Sequence, residues 1–285
     1  MTQKLISRTV ESIVEGSAVS DGAGVKLKRV LSTNLQQRLD PFLMLDEFGS
    51  ESPDDYLAGF PDHPHRGFET VTYMLEGRMR HRDNAGHEGL LGPGDVQWMT
   101  AGSGVVHSEM PEQEQGRMQG FQLWVNLAAK DKMTPPRYRG IAADQIPQVS
   151  LPQGVKVAVI AGELNGIVGA VRDIRTQPLY LDITLPAAST QDFSLPVGHN
   201  AFIYVYSGQL QAGPQQESTL QAGQLGVLGN AADANAIHLQ SRSGARLLLI
   251  AGQPLGEPIV QWGPFVMNSR AEIEQAFADY RSGKF

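Results

Sequence analysis

The chain has 285 residues, 41% of them hydrophobic and 19% charged, an ordinary globular composition long enough for two domains. A net charge of −7, with no lysine or arginine cluster, excludes the footprint of a phosphate-backbone binder, so no direct nucleic-acid partner is expected. Cysteine is absent, which rules out disulfides and thiolate metal sites.

The N-terminal run MTQKLISRTVESIVEG lacks the continuous apolar core of a signal peptide. No stretch approaches the roughly 20 apolar residues that span a bilayer. A cytoplasmic protein with no membrane partner is the expectation. Along the chain, the segments 71–75, 96–99 and 121–127 read as strands, rich in β-branched, aromatic or leucine residues. In the second half, 155–161, 179–185, 201–206 and 246–251 read the same way. Asn84-Ala85-Gly86 and Gly92-Pro93-Gly94 are turn candidates between them. With 31 Gly and 17 Pro, this spacing predicts an all-β sandwich or barrel.

The two halves resemble each other. Tyr73-Met74-Leu75-Glu76-Gly77 aligns with Tyr204-Val205-Tyr206-Ser207-Gly208, and Gly94 with Gly223. Two copies of one small barrel fit this pattern; so do two hairpins that merely share turn chemistry. A boundary is expected near residues 130–150, where Lys130-Asp131-Lys132 and Pro135-Pro136 break the apolar pattern, giving domains 1–135 and 145–285. At the end, Ser269-Arg270-Ala271-Glu272 is a capping box. Ile273, Ala276, Phe277 and Tyr280 then form one helical stripe, and Gly283 is placed to end the helix.

Five of the seven histidines lie between residues 63 and 107. In a strand, residues i and i+2 share a face, so His63-Pro64-His65 aims two imidazoles at one point. His107-Ser108-Glu109 repeats that geometry. A lone histidine is ordinarily a surface or satisfied core residue, but two such pairs on neighbouring strands would converge as three nitrogens and a carboxylate oxygen. The expected metal ligands are therefore His63, His65, His107 and Glu109. Imidazole and carboxylate without thiolate suit Fe(II), Mn(II), Ni(II), Cu(II) or Zn(II), and four protein ligands leave open positions on a six-coordinate ion. Pro64, lacking a backbone donor, suits a strand start or edge.

Other signals are weaker. His81 and His87 flank a predicted turn and are expected to be exposed. Gly22-Ala23-Gly24 reads as a loop, and Gly102-Ser103-Gly104 as a tight turn rather than a nucleophile elbow. Phe60, Met74, Trp98, Met110, Phe121 and Trp124 are candidates for either a pocket or the barrel core.

At these residues the chain resembles the pirin family of the cupin superfamily. The run DPFLMLDEFG, then PDHPHRGFETVTYMLEGRMRHRDNAGHEGLLGPGDVQWMTAGSGVVHSE, and the ending GPFVMNSRAEIEQAFADYRSGKF carry the resemblance. It implies two stacked cupin barrels with a short C-terminal helix and one metal, usually iron, in the first barrel. The family's ligand pattern falls on His63, His65, His107 and Glu109. Glu69 stands where many cupins place a ligand carboxylate; the resemblance makes it a neighbour of the ligands or a plain strand residue. The second half lacks an HxH motif, with His199 and His238 standing alone, so it resembles a degenerate, metal-free copy.

Bacterial members of the family look like quercetin 2,3-dioxygenases. That implies a flavonol substrate, O2 as co-substrate, release of carbon monoxide, and Glu109 as the catalytic group accepting the 3-hydroxyl proton. The alternative implied by the resemblance is a regulator that binds a protein partner, a transcription factor or a metabolic enzyme. A hydrolase or isomerase on a zinc-loaded cupin is a third reading.

Overall fold

The computed structural model describes residues 4–285. Strands β1 (Val10–Glu15), β2 (Ser17–Asp21), β3 (Val25–Leu31) and β4 (Phe42–Ser50) open the chain. Next come β5 (Phe60–His65), β6 (Phe68–Glu76), β7 (Met79–Asp83) and β8 (Glu88–Leu91). They are followed by β9 (Val96–Thr100), β10 (Val105–Pro111), β11 (Met118–Asn126) and β12 (Arg137–Ile141). The second half holds β13 (Gln148–Ser150), β14 (Lys156–Ala161), β15 (Glu163–Leu164), β16 (Ile167–Val168) and β17 (Leu179–Leu185). It continues with β18 (Ser189–Ser194), β19 (Asn200–Ala212), β20 (Ser218–Gln221), β21 (Gln224–Leu228), β22 (Ala236–Ser241) and β23 (Ala245–Gly252). The hairpin β24 (Val260–Trp262) and β25 (Phe265–Met267) leads into α1 (Arg270–Arg281). All seven segments expected to be strands are strands, and 179–185 coincides with β17.

The chain divides into two compact units. One comprises residues 17–37, 41–143 and 255–285; the other runs up to Gly16 and adds 38–40 and 144–254. These limits differ from 1–135 and 145–285 at both ends of the chain. Backbone pairing overrides proximity in sequence. β1 pairs with β21 from Val10↔Leu228 to Glu15↔Gln224. At the other end, the Val266 amide donates to the Arg66 carbonyl at 3.1 Å.

Each unit repeats one strand order. The first has a seven-stranded antiparallel sheet β12-β9-β6-β11-β4-β3-β2 and a four-stranded sheet β5-β10-β7-β8. The second follows β1-β21-β19-β23-β17-β14-β13, while β18-β22-β19-β20 continues along the far end of long β19. Apart from the edge strands β12 and β1, the two orders match strand for strand. The glycines aligned in the sequence match too. Gly77 and Gly208 have φ of +83° and +76°, and Gly94 and Gly223 have +86° and +92°. Duplication of a barrel explains this; shared turn chemistry alone does not. The second unit's interior is apolar, with Phe193, Ile203, Ile237, Leu239 and Leu247 fully buried.

The C-terminal segment completes the first unit. Ser269 caps α1, its Oγ accepting from the Glu272 amide at 3.3 Å. The Glu272 carboxylate reaches back to the Ser269 hydroxyl and to the Asn268 amide, one residue beyond the cap's own amide. Only Ile273 and Ala276 of the apolar stripe are buried, because the helix lies against the hairpin along one narrow seam; Tyr280 is 39% exposed. Phe277 meets Phe265 edge to face at 4.8 Å. Arg66 binds the Asp279 carboxylate at 2.9 Å and the Ser103 carbonyl at 2.6 Å, beneath the Phe285 ring. Gly67 must be glycine: at φ +89°, a Cβ would stand 2.0 Å from the Val266 oxygen. Buried Lys132 ties the same point together. Its ammonium donates to the Gly67 carbonyl (2.7 Å), Asn126 Oδ1 (2.6 Å) and the Val266 carbonyl (3.0 Å).

Two outcomes follow. Lys132→Met takes the ammonium donor from the buried Gly67 and Val266 carbonyls and leaves Asn126 Oδ1 only the Leu127 amide, so it should lower unfolding stability by about 3 kcal/mol in urea titration; a loss well under 1 kcal/mol would show that the acceptors find other partners. Hydrogen bonds, chiefly from Arg66, hold the Asp279 carboxyl at about 2, below its ordinary 3.8. The contribution is therefore present above about pH 4 and lost as pH falls through about 2. Asp279→Asn should flatten that acid limb in a pH series of thermal melts, whereas an unchanged acid limb would place the pair outside the folding equilibrium.

Candidate metal centre

The centre is assembled where three strands of the four-stranded sheet meet. β10 pairs with β5, placing Val105 opposite His65 and His107 opposite His63, with a bulge before Glu109. On its other side β10 pairs with β7, placing Glu109 opposite His81. β5 is the sheet edge, which is where Pro64 was expected. Because side chains alternate along each strand, His63, His65, His107, Glu109 and His81 share one face.

The nitrogens of His63, His65 and His107 lie within 4.8 Å of one another, the one such histidine or carboxylate cluster among the described residues. Their ring centroids are 4.4–5.0 Å apart. The His63 Nδ1–H donates to the Pro61 carbonyl at 2.8 Å, leaving Nε2 as the free lone pair. His65 is packed edge-on between Phe68 and Trp124. His65 and His107 are buried, and none of their four ring nitrogens has a hydrogen-bond partner. Buried polar atoms in this state are rare and costly. A metal ion would satisfy one nitrogen on each ring, so these residues fit such a group. Burial pushes both imidazoles well below their ordinary pKa, and neighbouring histidines push further. They are neutral at pH 7, the form that ligates a metal.

Glu109 is buried beside this cluster. Gln122 Nε2 donates to both carboxylate oxygens, at 3.0 and 2.8 Å, and the Thr72 hydroxyl donates to Oε1 at 3.1 Å. His81 Nδ1 is 3.6 Å from Oε1. His81 is thus buried, not exposed as its place beside a turn suggested. Burial lowers its pKa, and Glu109 opposes the shift. The signal was present in Arg80-His81-Arg82: two charged neighbours take the solvent face and turn the residue between them inward. His87 is exposed, bonded to Asp83 at 2.7 Å. Thr72 and Gln122 carried no sequence signal, since only the sheet brings them to Glu109.

Glu69 has a different role. It lies on the face of β6 opposite to Thr72, opposite Thr100 in register, and accepts from the Thr100 hydroxyl at 2.7 Å. Burial raises its carboxyl above the ordinary value. In the second unit, the strands corresponding to β5 and β10 are β18 and β22, and their inward positions carry Phe193, Ile237 and Leu239. His238 faces outward to Asp192 at 2.7 Å. His199 lies apart from it, its carbonyl accepting from Arg8 at 2.7 Å.

A cavity of about 720 Å3 opens onto His63 and His65. Met44, Phe48, Phe60, Met79 and Trp124 supply apolar walls. Of the aromatic and Met candidates, Phe60 and Trp124 line this cavity, while Met74, Trp98 and Phe121 are core. Gly22-Ala23 of the predicted loop forms part of the wall. Arg29 and Asp46 also line it; burial lifts the Asp46 carboxyl, although the Arg29 fork pulls it down. None of the described helices is long and apolar enough to cross a membrane.

Comparison with known proteins identifies the family. The Pirin family model matches residues 24–125, and the model of the pirin C-terminal cupin domain matches residues 180–285. A Pseudomonas aeruginosa protein provisionally named quercetin 2,3-dioxygenase is 53% identical over 280 residues, covering 97% of both chains. Pirin of Homo sapiens is 43% identical over 98% of this chain and 94% of its own. The crystal structure of a quercetin 2,3-dioxygenase from Acinetobacter baumannii matches with a TM-score of 0.92 at 34% identity, covering 98% of each chain. Identity of this extent, spread over both barrels rather than confined to the histidine motif, places the chain in the pirin family of two-barrel cupin proteins.

Proposed function

We propose that this protein is a metal-dependent dioxygenase that opens the ring of flavonols such as quercetin with O2. The observation that carries the reading is the convergence of three imidazoles, those of His65 and His107 without hydrogen-bond partners, beside a buried, oriented carboxylate at one end of an aromatic- and methionine-lined cavity. The relatives named as quercetin 2,3-dioxygenases support it.

In this reading His63, His65, His107 and Glu109 hold one divalent ion; kinship with the pirin family favours Fe(II), and the ligand types are equally compatible with Mn, Ni, Cu or Zn. The ion supplies a site for the flavonol 3-oxygen and a path for electrons to O2. Glu109 accepts the 3-hydroxyl proton. Its carboxylate is buried beside the three histidines, and Gln122 and Thr72 fix its orientation. Phe60, Phe48 and Trp124 supply apolar surface for a flat ring system and exclude water from it.

His63→Ala or His107→Ala should reduce bound metal from one per chain to near zero, with an unchanged circular-dichroism spectrum. Full metal content in both variants would remove the proposed centre. Glu109→Gln should lower kcat by roughly 100-fold or more, the usual contribution of a placed general base, while losing less metal than the histidine variants. The assay follows flavonol loss, oxygen uptake and carbon monoxide together, because free iron oxidises quercetin unaided. If no metal-loaded form exceeds the His63→Ala control, the dioxygenase reading fails and a partner-binding regulator takes its place.

A further inference from the structure

One row of polar side chains crosses the seven-stranded sheet of the first unit. Thr72 on β6 is opposite Gln122 on β11, Gln122 is opposite Asp46 on β4, and Asp46 is opposite Arg29 on β3. Directly paired residues share a sheet face, so all four point the same way. The near end of the row holds Glu109. The far end lies two strand spacings beyond Gln122, roughly 10 Å. Gln122, Asp46 and Arg29 all line the cavity that contains His63 and His65.

The far end is a built polar site. Arg29 Nε and Nη2 donate to the two Asp46 oxygens at 2.9 and 2.7 Å, and Nη2 also reaches Asp21 at 2.8 Å. Asp46 is only 3% exposed. A carboxylate offers about four lone-pair positions, so two Arg29 bonds leave acceptor capacity. Arg29 Nη1 has no hydrogen bond among the described residues, so a donor is also left over. As a stabilising device a buried ion pair is poor, since apolar residues of similar volume do as well or better. Three carboxylates line the cavity, Asp21, Asp46 and Asp62, against one guanidinium, Arg29. That balance favours neutral groups that donate hydrogen bonds and disfavours anions.

We propose that Asp46 and Arg29 form the distal anchor of the substrate site, recognising ring hydroxyl groups of a neutral polyhydroxylated aromatic whose other end lies at the histidine cluster. The assignment rests on the flavonol reading and adds its selectivity: hydroxylated rings are taken, while unhydroxylated or carboxylated rings are discriminated against. The bond is donated by a phenolic O–H to Asp46, and Arg29 Nη1 returns one to a phenolic oxygen. The pair therefore acts on substrate choice and leaves the chemistry to the metal end.

The test is anaerobic binding to the metal-loaded full chain, read by flavonol absorbance, with quercetin and 3-hydroxyflavone as probes. Both carry the 3-oxygen and the carbonyl, and 3-hydroxyflavone lacks the ring hydroxyls. The wild-type protein should prefer quercetin by roughly 10-fold, the scale of one or two hydrogen bonds to charged groups. In Asp46→Asn the ratio should fall to about twofold. Should that variant misfold, the double replacement Arg29→Met with Asp46→Leu removes the pair together and preserves packing. Each protein is its own control, since the ratio is taken within one variant. A ratio near one in the wild type, an unchanged ratio in the variants, or no binding of either probe overturns the anchor. The two readings fail separately. Discrimination in binding without oxygen uptake sinks the dioxygenase and keeps the anchor, whereas equal turnover of both probes keeps the dioxygenase and sinks the anchor.

Discussion

The antiparallel register between β5 and β10 is the constraint on which the centre depends. It sets His107 against His63 and Val105 against His65, so that residues distant in sequence meet on one face. A slip of one residue would turn every side chain of a strand to the opposite face and disperse the imidazoles. β7 locks β10 from the other side through the Glu109–His81 pairing, leaving little freedom for such a slip. The bulge between His107 and Glu109 is where the pairing with β5 breaks step.

Burial then converts a cluster of histidines into a ligand set. Desolvation keeps His65 and His107 neutral, and packing against Phe68 and Trp124 restrains the His65 ring. Unpartnered nitrogens in such a place cost folding energy that an ordinary core would avoid. The second barrel shows the alternative. Its corresponding strands carry Phe193, Ile237 and Leu239 inward, and they join a continuous apolar core. Duplication thus produced two barrels of one strand order, one filled for packing and one left with a polar face and a cavity.

The C-terminal segment extends this division of labour. It leaves the second barrel's part of the sequence and packs within the first unit, bridging to Arg66, the residue after His65. Gly67, Lys132 and the Arg66–Asp279 pair hold the chain immediately beyond the histidine strand. Gln261, Gly263 and Pro264 at the tip of the β24–β25 hairpin contribute to the cavity wall. The strand that carries two of the histidines is therefore braced by residues two hundred or more positions away, as Val266 and Asp279 show.

What the sequence determined by itself is what short-range periodicity encodes. Alternation along a strand put His63 with His65 and His107 with Glu109, and it named the apolar strands of both halves. Ser269 and Glu272 announced the helix, because a cap is a contact between residues three apart. The tertiary structure decided whatever depends on which strands are neighbours. It brought Thr72 and Gln122 to Glu109, set His81 opposite Glu109, and set Glu69 against Thr100. It joined Asp46 to Arg29 across the cavity wall and exchanged the terminal segments between the units. The reason is physical: side-chain alternation is a property of one strand, whereas strand order and register are settled by backbone hydrogen bonds between segments that no local pattern links.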